Sequence, residues 1–190
     1  SNLDLSGLSS LRSLHVAHNL LAELNLTDSL LLNRLWAYNN NLVLLNTSGL
    51  ENMSIVNVSN NLLTGLEVSS SPSLRYLKAE NNRLLGLDVA PLINLEYLNV
   101  SHNSLTELVV KDMVHLTVLH AAYNQLTGID VSKLGGLVQF SVWSNQLREL
   151  DASSLVLLTK LHVDNNELVL LNINNLVNLV SLNVRGNLVE

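Results

Sequence analysis

The chain has 190 residues, a formal net charge of −6 at pH 7 and no cysteine. It is long enough to form one sizeable hydrophobic core, and no stretch of about 18 residues is uniformly apolar, so we expect no membrane span. The acidic balance disfavours nucleic acid as the main partner, and the lack of cysteine excludes disulfides and thiolate metal sites.

An asparagine recurs every 21 residues along the chain, without insertion or deletion. The series is Asn19, Asn40, Asn61, Asn82, Asn103, Asn124, Asn145, Asn166 and Asn187. The frame LxxLxVxxNxLxxLxVxxLxx surrounds each of them, and its first full instance is Leu11, Leu14, Val16, Asn19, Leu21, Leu24 and Leu26. Such a period is typical of a solenoid, in which each repeat forms one coil that buries its leucines against the next.

Each repeat begins with a short predicted strand. In the LxV step, the apolar side chains point inward and the flanking residues point to the opposite, open face. The asparagine follows at a bend, where we expect its amide to satisfy backbone groups of its own and the neighbouring coil. A repeat of 21 residues leaves little room for a helix on the return side, so short extended or 3₁₀ segments are expected there. The predicted fold is a mostly β solenoid with a parallel sheet of about nine strands.

Later in the repeat, aspartates share one position, as Asp4, Asp88, Asp130 and Asp151. A calcium ladder is one interpretation of this column. We favour Asx turns, in which each short acid accepts a hydrogen bond from the backbone two residues on.

The frame resembles the leucine-rich repeat family, whose signature LxxLxLxxNxL is matched in all nine units, with Val or Ala at its third apolar position. The segment NQLTGIDVS, residues 124–132, is similar to the 21-residue class of bacterial surface and secreted proteins, including internalin-like adhesins. The resemblance implies an arc with a concave sheet, protein recognition without catalysis, and an extracellular or cell-surface location. Related type III effector repeats carry a repeating LP element, whereas the prolines here are Pro72 and Pro91, which disfavours the effector class.

Tryptophan, tyrosine and histidine concentrate at the repeat positions assigned to the open face. They are Trp36, Tyr38, Tyr76, Tyr97, Tyr123, Trp143, His15, His18, His102, His120 and His162, whereas His115 falls elsewhere. Tyrosine and tryptophan commonly anchor interfaces, so the pattern predicts a recognition surface. The alternative is that aromatic residues merely favour strands.

Charge follows the same division. The open face carries Arg12, Arg34, Arg75, Lys78, Lys160 and Arg185 against Glu80, Glu96 and Asp164, so the rest of the chain is strongly acidic. A mildly basic face predicts a partner with acidic or mixed polar groups. Its positive charge is expected to speed the association of that partner by electrostatic steering.

Catalytic and metal sites are not predicted. His102 and His120 fall on adjacent strands and could form a metal pair, but we favour hydrogen-bonding contacts for them. No nucleophile with a matched base and no phosphate-binding glycine loop is evident, so we expect neither enzyme activity nor a cofactor.

Many apolar residues lie outside the predicted core and the strands. Examples are Leu30, Leu31, Val43, Leu44, Val156, Leu157, Val169 and Leu170. They represent either imprecise patterning at turns or a second contact surface for self-association through the flanks or ends.

We therefore expect residues 1–190 to form a single domain of nine units, uncapped at Ser1 and Glu190. The leading hypothesis is a recognition module for a protein ligand, with a glycan as the alternative ligand. The residues assigned to binding are Trp36, Tyr38, Tyr76, Lys78, Tyr97, His120, Tyr123 and Trp143. A structural, self-assembling repeat protein and an artificially regular designed scaffold are the other two interpretations.

Overall fold

The structure is a computed structural model that describes residues 3–189, so Ser1 and Glu190, where uncapped ends were expected, lie outside the described residues. Across 3–189 the chain forms short strands joined by turns, without any helix. The strands are β1 (Ser13–His15), β2 (Arg34–Trp36), β3 (Leu44–Asn46), β4 (Ile55–Asn57), β5 (Gly65–Glu67), β6 (Tyr76–Lys78), β7 (Tyr97–Asn99), β8 (Val118–His120), β9 (Gln139–Ser141), β10 (Glu149–Asp151), β11 (Lys160–His162), β12 (Leu170–Asn172) and β13 (Ser181–Asn183).

The main sheet confirms the predicted architecture. Within the described residues it contains nine strands in the order β1-β2-β4-β6-β7-β8-β9-β11-β13. All its pairs are parallel and shifted by one repeat, so that Tyr76 lies beside Tyr97 and Tyr97 beside Val118. The fixed 21-residue period therefore becomes straight columns of equivalent side chains across the sheet.

The return side is extended in places and otherwise built of turns. In the described part of the chain, two separate parallel pairs lie there, β3 with β5 and β10 with β12. Between strands, backbone N–H groups bond to carbonyls three residues earlier, as from Leu92 to Val89 and from Leu95 to Leu92. Short extended segments were predicted on this side and are confirmed.

The core is a continuous stack of leucine and valine columns. The middle residue of each inner strand is fully buried, as for Leu35, Leu77 and Leu98, and Phe140 takes the same position in β9. Burying each such side chain contributes about 1.5–3 kcal/mol relative to exposure. In β13 the equivalent Leu182 is 43% exposed, so the core column is open at the last described coil.

The repeated asparagines form an asparagine ladder between coils. In a typical rung, Asn40 Oδ1 accepts from Leu21 N in the preceding coil at 3.0 Å. Its Nδ2 donates to Val16 O in the preceding coil at 2.9 Å and to Ala37 O in its own coil at 3.1 Å. The predicted role of these amides in satisfying two coils is confirmed.

A left-handed backbone residue precedes each ladder asparagine. These residues have φ between 52° and 57° and are His18, Asn39, Asn60, Asn81, His102, Tyr123, Ser144 and Asn165, followed by Gly186 with φ of 70°. Asparagine, histidine and glycine tolerate this region better than other residues. The backbone thus explains why His18 and His102 occur at this position, but it gives no reason for Tyr123.

The aspartate column forms Asx turns, as favoured from the sequence. Asp4, Asp88, Asp130 and Asp151 each accept from the backbone N–H two residues on, at 2.9–3.1 Å. Hydrogen bonds from the serines two residues on lower the pKa of Asp4, Asp130 and Asp151. The carboxylates are therefore engaged with their own turns.

Candidate functional site

We call the open side of the main sheet the strand face. It comprises the outward side chains of the sheet strands and of the three residues after each strand. The structure places all eight residues assigned to binding on this face: Trp36, Tyr38, Tyr76, Lys78, Tyr97, His120, Tyr123 and Trp143. Most of them are half-buried against neighbouring coils, whereas Tyr123 is 42% exposed.

The N-terminal cluster consists of His15, His18, Trp36 and Tyr38. The ring centroids of His15 and Trp36 are 5.4 Å apart, and those of His15 and Tyr38 are 6.2 Å apart. His18 meets Tyr38 edge to face at 5.0 Å. Trp36 and Tyr38 are two residues apart because both point to the strand face, where the histidines of the preceding coil support them.

The central cluster consists of Tyr76, Lys78, Glu80, Tyr97 and His120. Tyr76 and Tyr97 stack with centroids 4.4 Å apart and planes 18° from parallel. Lys78 Nζ lies 5.8 Å from the Tyr97 ring centroid and 3.9 Å from Glu80 Oε1. The tyrosine ring of Tyr97 is also 6.1 Å from the His120 ring, so a cation and a carboxylate lie within an aromatic surface.

Burial and charge shift the titration of this cluster. Burial lowers the pKa of His120, and the positive charges of Lys78, His162 and Lys160 act in the same direction, with the Glu80 carboxylate opposing them. Burial also raises the pKa of Tyr97, against the charge of Lys78. For Lys78, burial works against the charged form, but Glu80 and the two tyrosines outweigh it and raise the pKa. At neutral pH the cluster therefore holds a charged lysine beside a neutral imidazole.

Three members of the central region were not assigned to binding from the sequence. Ile55 and Val118 extend the Tyr76 and Tyr97 row at its two ends, where they are half-buried. The 21-residue register would have found both, because each is one repeat away from a tyrosine. Glu80 was recognised only as a charge, yet its Oε2 is buried and has no hydrogen-bond partner among the described residues.

The C-terminal cluster consists of His102, Tyr123 and Trp143. His102 stacks on Tyr123 with centroids 4.2 Å apart, and Tyr123 meets Trp143 at 4.3 Å and 65°. Tyr123 does so from the left-handed position, where a bulky side chain carries a cost. Its ring contacts His102 on one side and Trp143 on the other.

The histidine pair considered as a metal site belongs to two clusters. His102 lies against Tyr123, and His120 lies near Tyr97. Within residues 3–189, no three histidine, aspartate or glutamate side chains are arranged to hold a metal ion.

A groove of about 790 Å³ lies on the return side and not on the strand face. It is lined in part by Asp130, Ser132, Asp151 and Ser153. These residues are the partners of two Asx turns, with N–H to carboxylate distances of 3.0 and 2.9 Å. Two carboxylates of the groove, Asp130 and Asp151, are therefore engaged with their own turns, and Glu149 is the third carboxylate in its lining.

The Leucine Rich Repeat family model matches residues 94–113. This segment carries the same frame as the other coils, and the frame folds into the same strand, bend and return segment each time. The repeats are leucine-rich repeats.

Solved bacterial leucine-rich repeat proteins share this fold. An internalin, InlF, from Listeria monocytogenes is 25% identical, with a TM-score of 0.86, over 98% of this chain and 58% of the internalin chain. YopM from Yersinia enterocolitica is 31% identical, with a TM-score of 0.82, over 95% of this chain and 39% of the YopM chain. YopM from Yersinia pestis, described as a leucine-rich effector protein, is 30% identical, with a TM-score of 0.79, over 90% and 48% of the two chains. Among curated protein sequences, none matches the chain.

These similarities are to bacterial leucine-rich repeat proteins, and they revise the expectation that this chain differs from effector repeats. The chain spans 39% to 58% of the solved chains named above. Since a leucine-rich effector is as similar as an internalin, the lack of a repeating LP element does not separate this chain from effector repeats.

As to membranes, the described leucine-rich repeats contain no helix with the length and hydrophobicity needed to span a bilayer.

Proposed function

We propose that the chain is a non-enzymatic recognition module that binds a protein across the strand face. The observation that carries the proposal is the gathering of three aromatic clusters on one parallel sheet, with ring contacts of 4.2–6.2 Å. Rigid aromatic side chains that are partly exposed bury a large area at little entropic cost when a partner binds. An open, continuous surface of this kind suits a protein better than a small molecule.

The setting we propose is adhesion or host interaction, at the cell surface or outside the cell. It rests on the likeness to an internalin and to YopM, and on the recognition role that leucine-rich repeats commonly have. A glycan stacked on the tyrosines is the alternative ligand for the same face.

The proposal is tested by screening the immobilised chain against a panel of secreted and cell-surface ectodomains. Binding constants would then be measured for Trp36→Ala, Tyr97→Ala and Trp143→Ala, one from each cluster. We expect a loss of about 2 kcal/mol, roughly thirtyfold in Kd, for the residues at the centre of the interface.

The matched control is Leu85→Ala, which removes an aliphatic side chain that is 71% exposed on the return side. We expect the partner to bind this variant as it binds the parent chain. A partner whose affinity falls for Leu85→Ala but not for the three aromatic variants would overturn the assignment of the strand face.

A second candidate function is self-association, and a separate observation favours it. One repeat position just before the strands carries exposed aliphatic side chains on several coils, with exposures of 46% to 88% at Leu30, Ile93, Val114, Val156 and Val177. Exposed apolar stripes of this kind often mark contact surfaces. Light scattering coupled to size exclusion decides it: a mass that grows with concentration supports assembly, and a constant mass near 20.9 kDa excludes it.

A further inference from the structure

A groove of about 410 Å³ lies at the N-terminal end of the strand face. It is lined by Arg12, Ser13, Leu31, Asn33, Arg34 and Asn52. Among these described lining residues there is no carboxylate, although the chain as a whole carries a net charge of −6. The groove is therefore a local basic site on an acidic protein.

The amides of the groove are already committed to the fold. Asn33 Nδ2 donates to Asn52 O at 2.6 Å, and Asn33 Oδ1 accepts from Ser54 Oγ at 2.9 Å. Asn52 Nδ2 donates to Leu30 O at 3.4 Å. These bonds fix the polar wall and leave the two guanidinium groups and the Ser13 hydroxyl as donors available to a ligand.

Neither arginine side chain has an ion pair or a hydrogen-bond partner within residues 3–189. Two other arginines are paired within the described residues, Arg75 with Glu96 at 2.5 Å and Arg148 with Glu167 at 3.3 Å, whereas Arg83 and Arg185 are not. Both of those pairs join neighbouring coils, whereas Arg12 and Arg34 place two positive charges on neighbouring coils without an acid. An anion bound between two such guanidinium groups would be attracted by both charges.

The backbone holds the two arginines next to each other. Arg12 O accepts from Asn33 N at 2.8 Å and from Arg34 N at 3.1 Å. The strand register places Arg34 beside Ser13, the residue that follows Arg12. The backbone positions of both arginines are thus set by hydrogen bonds between neighbouring coils.

We propose that Arg12 and Arg34 form a carboxylate-binding site for an acidic side chain of a polypeptide partner. Guanidinium groups bind carboxylates through paired hydrogen bonds, and two of them together select an oxyanion strongly. This inference rests on the proposed recognition of a protein and names the chemistry of one contact.

The walls of the groove favour a peptide over a free inorganic anion. Leu31 is 38% exposed at the groove, and Trp36 ends the strand that Arg34 begins. Leu31 suits an apolar residue next to the acid, which a sulfate or phosphate ion lacks, and Trp36 lies outside the groove lining on the same strand as Arg34. The expected sequence in the partner is an acidic residue adjoining an aliphatic or aromatic one.

The test uses the fluorescence of Trp36 in a Trp143→Phe background, because the chain contains two tryptophans. The probe is the peptide acetyl-Glu-Leu-Glu-Leu-amide at constant ionic strength, with acetyl-Gln-Leu-Gln-Leu-amide as the uncharged comparison. We expect saturable binding of the glutamate peptide and binding about tenfold weaker after Arg12→Gln or Arg34→Gln.

The matched control is Arg83→Gln, which removes an exposed arginine off the strand face that has no ion pair within residues 3–189. We expect binding of the glutamate peptide to this variant to be unchanged. Circular dichroism and the Tm should match the parent for all three variants, because these guanidinium groups make no described contacts.

Several outcomes would overturn the proposal. The first is the absence of saturable binding, and the second is binding of the glutamine peptide as tight as that of the glutamate peptide. The third is a loss of affinity for Arg83→Gln as large as for the two groove variants, which would indicate general electrostatic attraction and not a specific site. Displacement of the peptide by inorganic sulfate at a lower concentration than the peptide itself would assign the site to a free anion. The titration needs no natural partner, so its failure leaves the aromatic variants as an independent test of strand-face recognition.

Discussion

Each amide of the asparagine ladder joins two coils, so a single side chain carries a measurable part of the stability. Asn124 Oδ1 accepts from Leu105 N, and its Nδ2 donates to Val100 O and Ala121 O, at 3.0–3.2 Å. Replacing the amide by a methyl group leaves these backbone groups unpaired and buried.

For Asn124→Ala we expect the free energy of unfolding to fall by about 3 kcal/mol or more, since several buried groups lose partners at once. The measurement is urea denaturation followed by circular dichroism. The control is Asn41→Ala, one position past a ladder asparagine, whose exposed side chain has no described hydrogen bond. An equal loss in both variants would contradict the role assigned to the ladder.

Two buried serines stand in a leucine column and differ in one contact. Ser71 Oγ donates to Leu50 O at 3.2 Å, whereas Ser29 Oγ has no partner among the described residues. We expect Ser29→Ala to raise the free energy of unfolding by about 1 kcal/mol and Ser71→Ala to lower it by a similar amount. Urea denaturation should give changes in the free energy of unfolding of opposite sign for the two variants. A decrease in both variants would show that Ser29 is hydrogen-bonded.

Titration of His120 predicts a pH dependence of stability. Burial keeps its folded pKa below the ordinary value of 6.5, so the unfolded chain binds the proton more readily in the interval between the two. The contribution of neutral His120 to the free energy of unfolding is present above pH 6.5 and falls as the pH drops toward the folded pKa. The difference in the free energy of unfolding between neutral and mildly acid pH should therefore be smaller for His120→Asn than for the parent, as measured by urea denaturation at both pH values.

At the scale of the element, each strand is too short to be stable alone and depends on its neighbours for register. Three residues per strand provide two outward side chains, and contacts between equivalent positions run across the sheet. The Tyr76 and Tyr97 stack on β6 and β7 is one such contact between neighbouring strands.

A double-mutant cycle measures that contact. For Tyr76→Leu and Tyr97→Leu we expect a coupling energy of about 1 kcal/mol in unfolding, beyond the two single effects. The comparison cycle uses Ile55→Ala and Val118→Ala, which lie in the same row but at its two ends. Their coupling should be within about 0.3 kcal/mol of zero, and coupling of equal size in both cycles would point to a change spread through the sheet.

The period of the sequence was sufficient to predict the strands, their parallel register and the ladder. Leu35, Ala37 and Asn40 have their roles dictated by spacing alone, and the structure agrees. The division of the face into three clusters was not predictable, because it depends on which rings turn toward each other. The left-handed backbone conformation before each asparagine was not predictable either. The structure therefore supplies the backbone reason for His102 at this position and shows that Tyr123 is a bulky residue in the same conformation.

At the scale of the whole molecule, repeat proteins are stabilised by contacts between adjacent units, and their cooperativity is a property to be measured. We propose that residues 1–190 behave as a single domain. The two tryptophans lie in coils near opposite ends of the sheet, on β2 and just after β9.

Urea unfolding followed by Trp36 in Trp143→Phe, and by Trp143 in Trp36→Phe, tests this proposal. We expect the two midpoints to coincide once each variant is corrected by circular dichroism of the same sample. Separate midpoints would show that the ends unfold independently and that the array is not one cooperative domain.

The ladder also has a direction. From Asn40 onward each asparagine bonds to the coil before it, as Asn40 does to Leu21 and Asn187 to Leu168, both at 3.0 Å, whereas Asn19 bonds within its own coil. A ribosome releases the amino-terminal coil first, and that coil gains its closing hydrogen bonds only when the next one emerges. Folding during synthesis would therefore lag one coil behind translation. The most recently synthesised coil would always be the least stable, because it lacks its closing hydrogen bonds.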